Sequence, residues 1–67
     1  MVRITANGKP YDVPEGMGLL SFLERMNLKP QWVVVELNGE PLEREKYAQI
    51  TLSQGDRLEI VRAVAGG

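Results

Sequence analysis

The sequence predicts an α+β fold in which one mixed sheet is covered on one face by a single helix. Three observations predict it: alternating apolar and polar residues near the start, one segment of helical periodicity, and two β-branched segments in the second half. The elements follow one another as hairpins with one helix, not as repeated βαβ units. A chain of 67 residues has room for one small core.

The first two strands are predicted to form a hairpin. Apolar and polar residues alternate over residues 2–6, which is typical of a strand with one buried face. Asn7-Gly8 follows, and both residues tolerate the positive φ angles of a type I′ turn. The return strand covers residues 9–13. Because Pro10 has no N–H to donate, we expect this strand at an edge of the sheet.

A helix is predicted from Leu19, where the apolar residues change to helical spacing. Gly18 occupies the N-cap position without a side chain that could accept an amide hydrogen bond. Asn27 suits the left-handed conformation that commonly follows the last turn of a helix. One face of this helix is apolar and is expected to face the sheet: Leu19, Phe22, Leu23 and Met26.

The second half supplies the remaining strands. A β-branched run from Trp32 to Leu37 leads to a second Asn-Gly pair, and its apolar character favours an interior strand or one covered on both sides. The charged residues 43–46 are predicted to form a short helical turn. A short strand or loop at residues 50–52 and a last strand from Leu58 to Val64 complete the sheet.

These elements make a β-grasp layout with a mixed sheet of four to five strands. Residues 1–64 are predicted to form the single domain and residues 65–67 a flexible tail that ends in Gly-Gly. One helix covers only one sheet face, so Val33 or Val34, with Val61 and Ala63, are expected on the other. The predicted core consists of Val2, Ile4, Leu19, Phe22, Leu23, Met26, Val35, Leu37, Leu58 and Ile60.

The composition excludes several classes of function. The chain has no cysteine and no histidine, which excludes disulfides, thiol nucleophiles and Ser-His-Asp chemistry and argues against zinc sites. A net charge of -1 and scattered aromatic residues argue against nucleic-acid binding. No apolar run is long enough for a membrane span, and no signal peptide is visible. We therefore expect a cytoplasmic protein, monomeric when free, that binds no metal.

An acid and base pair is the remaining enzymatic interpretation. Glu36, Glu40, Glu43 and Glu45 are close in sequence, but such a pair needs a pocket that separates the two pKa values. One helix on one sheet leaves little room for a cleft. The charges around Glu43 and Glu45 alternate in sign, which is typical of solvated residues. We expect no catalytic residue in this chain.

The terminal residues Gly66 and Gly67 remain unexplained by the fold. One interpretation is that they are simply a frayed end. A diglycine also fits a narrow channel of another protein, because it has no Cβ atoms. An α-carboxylate has a pKa of about 3.3–3.7 and is ionised at neutral pH, so that of Gly67 could attack the α-phosphate of ATP.

Four segments together carry a resemblance to a known family: LLSFLERM, ELNGE followed by EREKY, QGDRLEIVRAV, and the terminal diglycine. Over essentially its whole length the chain resembles the ThiS sulfur carriers of thiamin biosynthesis, which are related to MoaD carriers and, more distantly, to ubiquitin. Many relatives place Thr or Ser at the helix start, where this chain has Met17-Gly18.

The resemblance implies a carrier and not an enzyme. A ThiF-like adenylating enzyme would use ATP to activate the Gly67 carboxylate, and a sulfur-transfer enzyme would supply sulfur to form a thiocarboxylate. A ThiG-like thiazole synthase would take that sulfur. Gly66 would give the tail its clearance, and ATP would be bound by the partner, with no cofactor on this chain. Partner docking is expected at Val61, Arg62, Ala63 and Val64.

Two alternatives stay open. The recipient could belong to another pathway, such as molybdopterin synthesis, tRNA thiolation or an amino-acid sulfur pathway. The chain could instead be a β-grasp interaction module without carrier chemistry, which would bind a partner through its exposed sheet face even without Gly66 and Gly67.

Overall fold

A computed structural model describes residues 1–63, which contain a mixed sheet of five strands in the order β2-β1-β5-β3-β4. Strands β1 and β5 are parallel, and the other neighbours are antiparallel. One helix covers one face, as the sequence predicts. The elements are β1 (Val2–Ala6), β2 (Lys9–Val13), α1 (Leu19–Arg25), β3 (Val33–Leu37), β4 (Glu40–Pro41) and β5 (Arg57–Arg62), with 3₁₀ turns at Pro30–Trp32 and Arg44–Gln49.

The first hairpin confirms the prediction from the Asn-Gly pair. Asn7 has a φ of 52° and Gly8 a φ of 82°, which are the two positive φ angles of a type I′ turn. Ala6 lies opposite Lys9, so the two strands are joined by this turn alone. β2 lies at an edge of the sheet, where Pro10 removes no hydrogen bond from a second neighbour.

The start of α1 has no side-chain cap, as expected for Gly18. A backbone contact replaces the cap, because the N–H of Leu19 donates to the carbonyl oxygen of Ile50 at 3.0 Å. The N–H of Leu52 also donates to the carbonyl of Met17 at 2.8 Å. The loop after the second 3₁₀ turn therefore satisfies the backbone at the amino end of the helix.

The end of α1 is a Schellman motif. Asn27 takes the left-handed conformation, with a φ of 60°. Its N–H donates to Glu24 O at 3.0 Å, and the N–H of Leu28 donates to Leu23 O at 2.9 Å. Leu28 packs against the buried core, which supplies the hydrophobic contact typical of this motif. The prediction that Asn27 ends the helix is confirmed.

The second half corrects the predicted strand bounds. Trp32 belongs to the first 3₁₀ turn and not to β3, because its N–H turns back to Lys29 O at 2.9 Å. The short strand is β4 (Glu40–Pro41), directly after the second Asn-Gly turn, and not residues 50–52. In that loop only Thr51 forms a bridge, with Gly18.

The last strand also differs from its prediction. β5 covers Arg57–Arg62, whereas the sequence pattern predicts Leu58 to Val64. It starts one residue early because Arg57 already pairs with Thr5 of β1. Ala63 lies beyond the strand. Val64 and the predicted tail at residues 65–67 lie outside the described residues.

Most of the predicted core is buried between α1 and the sheet. Val2, Met26 and Leu37 are only half-buried, since each lies at the end of its element. Five further residues are buried although the predicted core does not include them: Ala6, Val13, Val33, Tyr47 and Leu52. The buried apolar residues are Ile4, Ala6, Val13, Leu19, Phe22, Leu23, Val33, Val35, Tyr47, Leu52, Leu58 and Ile60.

Candidate functional site

The candidate site is the end of β5, the strand that leads toward Gly66 and Gly67. β5 is the middle strand of the sheet, with β1 on one side and β3 on the other. Its antiparallel pairing with β3 runs from Leu58 opposite Leu37 to Arg62 opposite Val33. Beyond the strand, the N–H of Ala63 donates to Trp32 O at 2.8 Å. The chain is thus held to the sheet up to Ala63.

The side chain of Asn7 holds β5 on the β1 side. Parallel pairing with β1 covers only Thr5 and Ala6. The Asn7 amide continues it, because Oδ1 accepts the Ile60 N–H at 2.7 Å and Nδ2 donates to Ile60 O at 3.0 Å. A turn residue therefore supplies backbone-like pairing to the strand that leads to the diglycine.

Asn38, in the second Asn-Gly turn, holds the other end of β5. Its Oδ1 accepts the Arg57 N–H at 2.9 Å, and its own N–H donates to Arg57 O at 2.7 Å. Its Nδ2 donates to Asp56 Oδ1 at 3.1 Å. Both turn asparagines thus serve β5 as well as their own hairpins, a role that local turn propensity does not indicate.

The open face of the sheet, away from α1, is apolar near the end of β5. Val34 and Val61 lie directly opposite each other and are 45% and 62% exposed. Trp32, two residues before Val34, is 48% exposed. Adjacent exposed apolar side chains on a small domain mark an interaction surface. Val33 is buried, so of the two valines predicted for this face it is Val34 that lies there.

Further along the same face the surface becomes acidic. Glu36 and Glu59 lie directly opposite each other on β3 and β5. Like charges in this arrangement destabilise a sheet. Among residues 1–63, no Lys or Arg nitrogen lies within ion-pairing distance of either carboxylate. The open face therefore carries an apolar end beside Ala63 and an acidic middle.

The second 3₁₀ turn supports β3 from the covered side. The Tyr47 hydroxyl accepts the Val35 N–H at 3.1 Å and donates to Val33 O at 3.3 Å. Arg44 reaches the same region, with Nε 3.1 Å from Pro30 O and Nη2 3.2 Å from Val33 O. The alternating charges predict solvated side chains here, and Arg44 is indeed exposed, but it also binds these two carbonyls. The sequence signal for the buried Tyr47 was an aromatic residue directly after the charged residues 43–46.

The described residues offer no acid and base pair. None of the buried side chains in residues 1–63 is polar or charged apart from the Tyr47 hydroxyl, and no cluster of acidic side chains there could hold a metal ion. The hydrogen bond from Arg3, at 2.8 Å, lowers the pKa of the exposed Asp12 carboxyl. A general acid near neutral pH needs a raised pKa instead.

An open groove of about 440 Å³ lies beside Ala63, between the end of α1 and the start of β3. Lys29 and Arg62 bring positive charge to it, and Trp32 forms part of its wall. No carboxylate is among the residues that line this groove.

Within residues 1–63, no helix has both the length and the apolar character needed to cross a membrane.

Only some of the predicted site residues lie in the described part of the chain. Val61 and Arg62 are exposed on β5, and Ala63 is half-buried. Val64, Gly66 and Gly67 lie outside the described residues. Val34, one of the two valines expected on the open face, is exposed beside Val61, and Trp32 is exposed as well. The four residues predicted for partner docking include neither Val34 nor Trp32.

Taken together, the mixed five-stranded sheet, its single helix and its open apolar face define a small β-grasp protein with an exposed apolar surface. The family model described as "ThiS family" matches residues 3–67, and the chain belongs to the ThiS family. This confirms the resemblance seen in the sequence.

A solved structure agrees with this assignment, and two curated proteins are similar to the chain in sequence. The crystal structure of the thiamine biosynthesis protein ThiS from Geobacter metallireducens is 36% identical with a TM-score of 0.83, covering 98% of this chain and 100% of that chain. A thiazole synthase of Paramagnetospirillum magneticum is 30% identical over 98% of this chain, which spans only 20% of that protein. The uncharacterized protein ycf40 of Pyropia yezoensis is 29% identical, over 98% of this chain and 93% of its own.

Proposed function

We propose that this chain is a sulfur carrier of thiamin biosynthesis whose Gly67 α-carboxylate is adenylated and then converted to a thiocarboxylate. The match to the ThiS family over residues 3–67 carries the proposal, because it extends through the diglycine. In this role the chain is a protein substrate of its partners and not an enzyme. The lack of an acid and base pair in residues 1–63 agrees with that role.

The chemistry needs only the carboxylate of Gly67 and a partner that binds ATP. A carboxylate oxygen attacks the α-phosphorus, and pyrophosphate leaves. The resulting acyl-adenylate is a good electrophile, so a sulfur nucleophile at the oxidation level of sulfide attacks its carbonyl carbon and AMP leaves. The product is a thiocarboxylate. The chain itself binds no cofactor, and we place the reaction in the cytoplasm.

Gly66 and Gly67 suit delivery into a partner's active site. Without Cβ atoms they pass through a channel too narrow for other residues. Residues 64–67 span at most about 13–14 Å when extended, so the folded body stays outside the channel. The body must then dock within that distance of the reacting phosphate.

The open face near the end of β5 is the proposed docking surface for the adenylating partner. Val34 and Val61 present apolar area on this face near Ala63, and Trp32 is also exposed there. Arg62 lies opposite Val33, so its charge is on the other side of the sheet, at the groove beside the end of α1. Docking there would leave residues 64–67 free to extend into the partner. We propose a ThiF-like enzyme as this partner.

A ThiG-like thiazole synthase is the proposed recipient of the sulfur. A thiazole synthase that contains a segment similar to this chain supports it, because a carrier and its recipient act together. A sulfur-transfer enzyme completes the set of partners. Three other pathways compete with thiazole formation as the recipient: molybdopterin synthesis, tRNA thiolation and an amino-acid sulfur pathway.

Reconstitution of thiazole formation tests the proposal. The chain is incubated with a ThiF-like enzyme, ATP, a sulfur donor and a ThiG-like synthase with its substrates, and the sulfur-containing thiazole product is measured. Its formation is expected to depend on the chain. If the chain supports sulfur insertion into molybdopterin but not into thiazole, the proposed recipient is wrong.

A one-residue extension provides a matched control. Addition of one Ala after Gly67 displaces the carboxylate and is expected to abolish product formation. Addition of one Ala before Met1 changes the mass equally and is expected to have no effect. Equal activity of both extended chains would contradict carriage on Gly67 and favour an interaction module.

A further inference from the structure

We propose that Arg44 is a positioning residue that fixes where the chain leaves the sheet at Ala63, and thereby how residues 64–67 are presented to the adenylating partner. The inference rests on the proposed function, since it concerns delivery of the Gly67 carboxylate. Arg44 is far from the diglycine in sequence and belongs to the second 3₁₀ turn.

The guanidinium of Arg44 binds two backbone carbonyls on either side of Trp32. Nε donates to Pro30 O at 3.1 Å, and Nη2 donates to Val33 O at 3.2 Å. The planar fork of arginine can make both bonds at once, which a lysine ammonium does with less geometric control. We call these two hydrogen bonds the clasp, and they join Arg44 to the first 3₁₀ turn and the start of β3.

Trp32 lies between Pro30 and Val33 in sequence, and its carbonyl binds Ala63. Trp32 O accepts the Ala63 N–H at 2.8 Å, beyond the last residue of β5. The turn itself is short and has two backbone bonds, from Trp32 N–H to Lys29 O at 2.9 Å and from Val33 N–H to Pro30 O. Neither bond involves Trp32 O, so the Arg44 bonds to Pro30 O and Val33 O further restrain its position.

Solvent exposure alone does not explain the hydrogen bonds that Arg44 makes. In residues 1–63 the ion pairs are Arg3 with Asp12 and Lys46 with Glu43, and Arg44 has no carboxylate partner there. Its hydrogen bonds go to backbone oxygens 11 and 14 residues away in sequence. Lys46, in the same turn, lies 3.9 Å from an exposed Glu43 oxygen and makes no described hydrogen bond to β3.

Loss of the clasp is expected to weaken productive binding without slowing the chemical step. When only a fraction of molecules presents Ala63 in the competent position, the apparent affinity falls by that fraction. A competent fraction of about one tenth would raise the KM for the carrier about tenfold. The value of kcat at saturation stays the same, because the bound complex is unchanged.

The kinetic test compares Arg44→Met with Lys46→Met in the full chain. Both remove one positive charge from the same turn and keep a long apolar side chain. Pyrophosphate release with ATP and a ThiF-like enzyme gives KM and kcat for each carrier. A raised KM for Arg44→Met alone, with kcat unchanged, supports the clasp. Equal KM values for the two variants overturn it.

Amide hydrogen exchange of the free chain provides a readout that needs no partner. In Arg44→Met the Ala63 amide is expected to exchange several-fold faster than in the wild type. The Ile60 amide, which donates to Asn7 Oδ1, is expected to be unaffected. Unchanged exchange at Ala63, or equal acceleration at both amides, would overturn the inference.

The two proposals fail in distinguishable ways. If the wild-type chain releases no pyrophosphate with the adenylating enzyme, the proposed function fails, while the exchange experiment still tests the clasp. If the wild type is adenylated and Arg44→Met matches Lys46→Met, only the positioning role fails.

Discussion

The two faces of the β3–β5 pair use similar residues for different purposes. On the covered face Val35, Leu58 and Ile60 pack under α1, whereas on the open face Val34 and Val61 lie exposed although they alternate with them. Residue type alone does not separate the two groups, since both are aliphatic. What separates them is that one helix of seven residues covers one side of the sheet.

In the proposal made above, the covered face supplies stability and the open face supplies recognition. Apolar area removed from water contributes about 25 cal/mol per Å², so side chains under the helix hold the fold together. Side chains on the open face gain that contribution only when a partner covers them. Substitutions on neighbouring residues of the same strand should therefore have unlike effects.

Leu58→Ala should show the largest effect, because it opens a cavity in the middle strand beneath α1. The expected loss is about 2–5 kcal/mol of the free energy of unfolding. A domain of this size has only about 3–5 kcal/mol in total, so much of the variant should be unfolded. Urea unfolding followed by circular dichroism measures it. A loss below about 1 kcal/mol would mean that the covered face does not carry the stability.

Tyr47→Phe should have the next largest effect, because the Tyr47 hydroxyl is the polar contact within the covered face. Without it the buried Val35 N–H has no acceptor, at a cost of about 1–3 kcal/mol. Tyr11→Phe is the matched control, since Tyr11 is half-buried and makes no side-chain hydrogen bond within residues 1–63. If chemical denaturation gives equal stabilities for the two variants, the hydroxyl contacts are unimportant.

Replacement of Val34 and Val61 together by Thr should affect binding and leave the fold intact. Threonine keeps the β-branched shape, so the free energy of unfolding should change by less than about 1 kcal/mol. Affinity for the adenylating partner should fall about tenfold, which corresponds to about 1.4 kcal/mol. Calorimetric titration measures it, with Lys9→Gln as a distant surface control. Unchanged affinity would place the docking surface elsewhere.

The smallest effect is expected from the ion pair between Arg3 and Asp12, since both side chains are exposed. Its hydrogen bond lowers the pKa of Asp12 below the ordinary value of 3.8. The stability it contributes is therefore present above pH 3.8 and is lost as the pH falls through the lowered pKa. Asp12→Asn should lower the melting temperature slightly at neutral pH and not at strongly acidic pH. A difference that persists in acid would contradict this assignment.

Local sequence signals predicted the secondary structure well and the tertiary contacts poorly. The first Asn-Gly pair fixed a hairpin, and the helix begins and ends where its spacing and Asn27 indicate, because these signals act within a few residues. The short strand was predicted at residues 50–52, but it is Glu40–Pro41, which pairs with β3 across the second Asn-Gly turn. An edge strand of two residues carries no periodicity to detect.

Contacts that shape the candidate site were not predictable from local patterns. Asn7 binds Ile60 across 53 residues, and Arg44 binds Pro30 across 14. The turn explains Asn7 and the exposed charged segment explains Arg44. No local pattern therefore indicates that either residue also binds a distant part of the chain. The apolar open face was predictable in outline, since alternation on β5 exposes Val61, but Trp32 and Val34 needed the strand register.

The most direct test of the sulfur carrier role is the intact mass of the chain after reaction with a ThiF-like enzyme, ATP and a sulfur donor. Sulfur carriage predicts that one oxygen is replaced by one sulfur, and that fragmentation locates the change at Gly67. An unchanged mass, or sulfur located at any other residue, would contradict it when an established ThiS protein is converted in the same mixture.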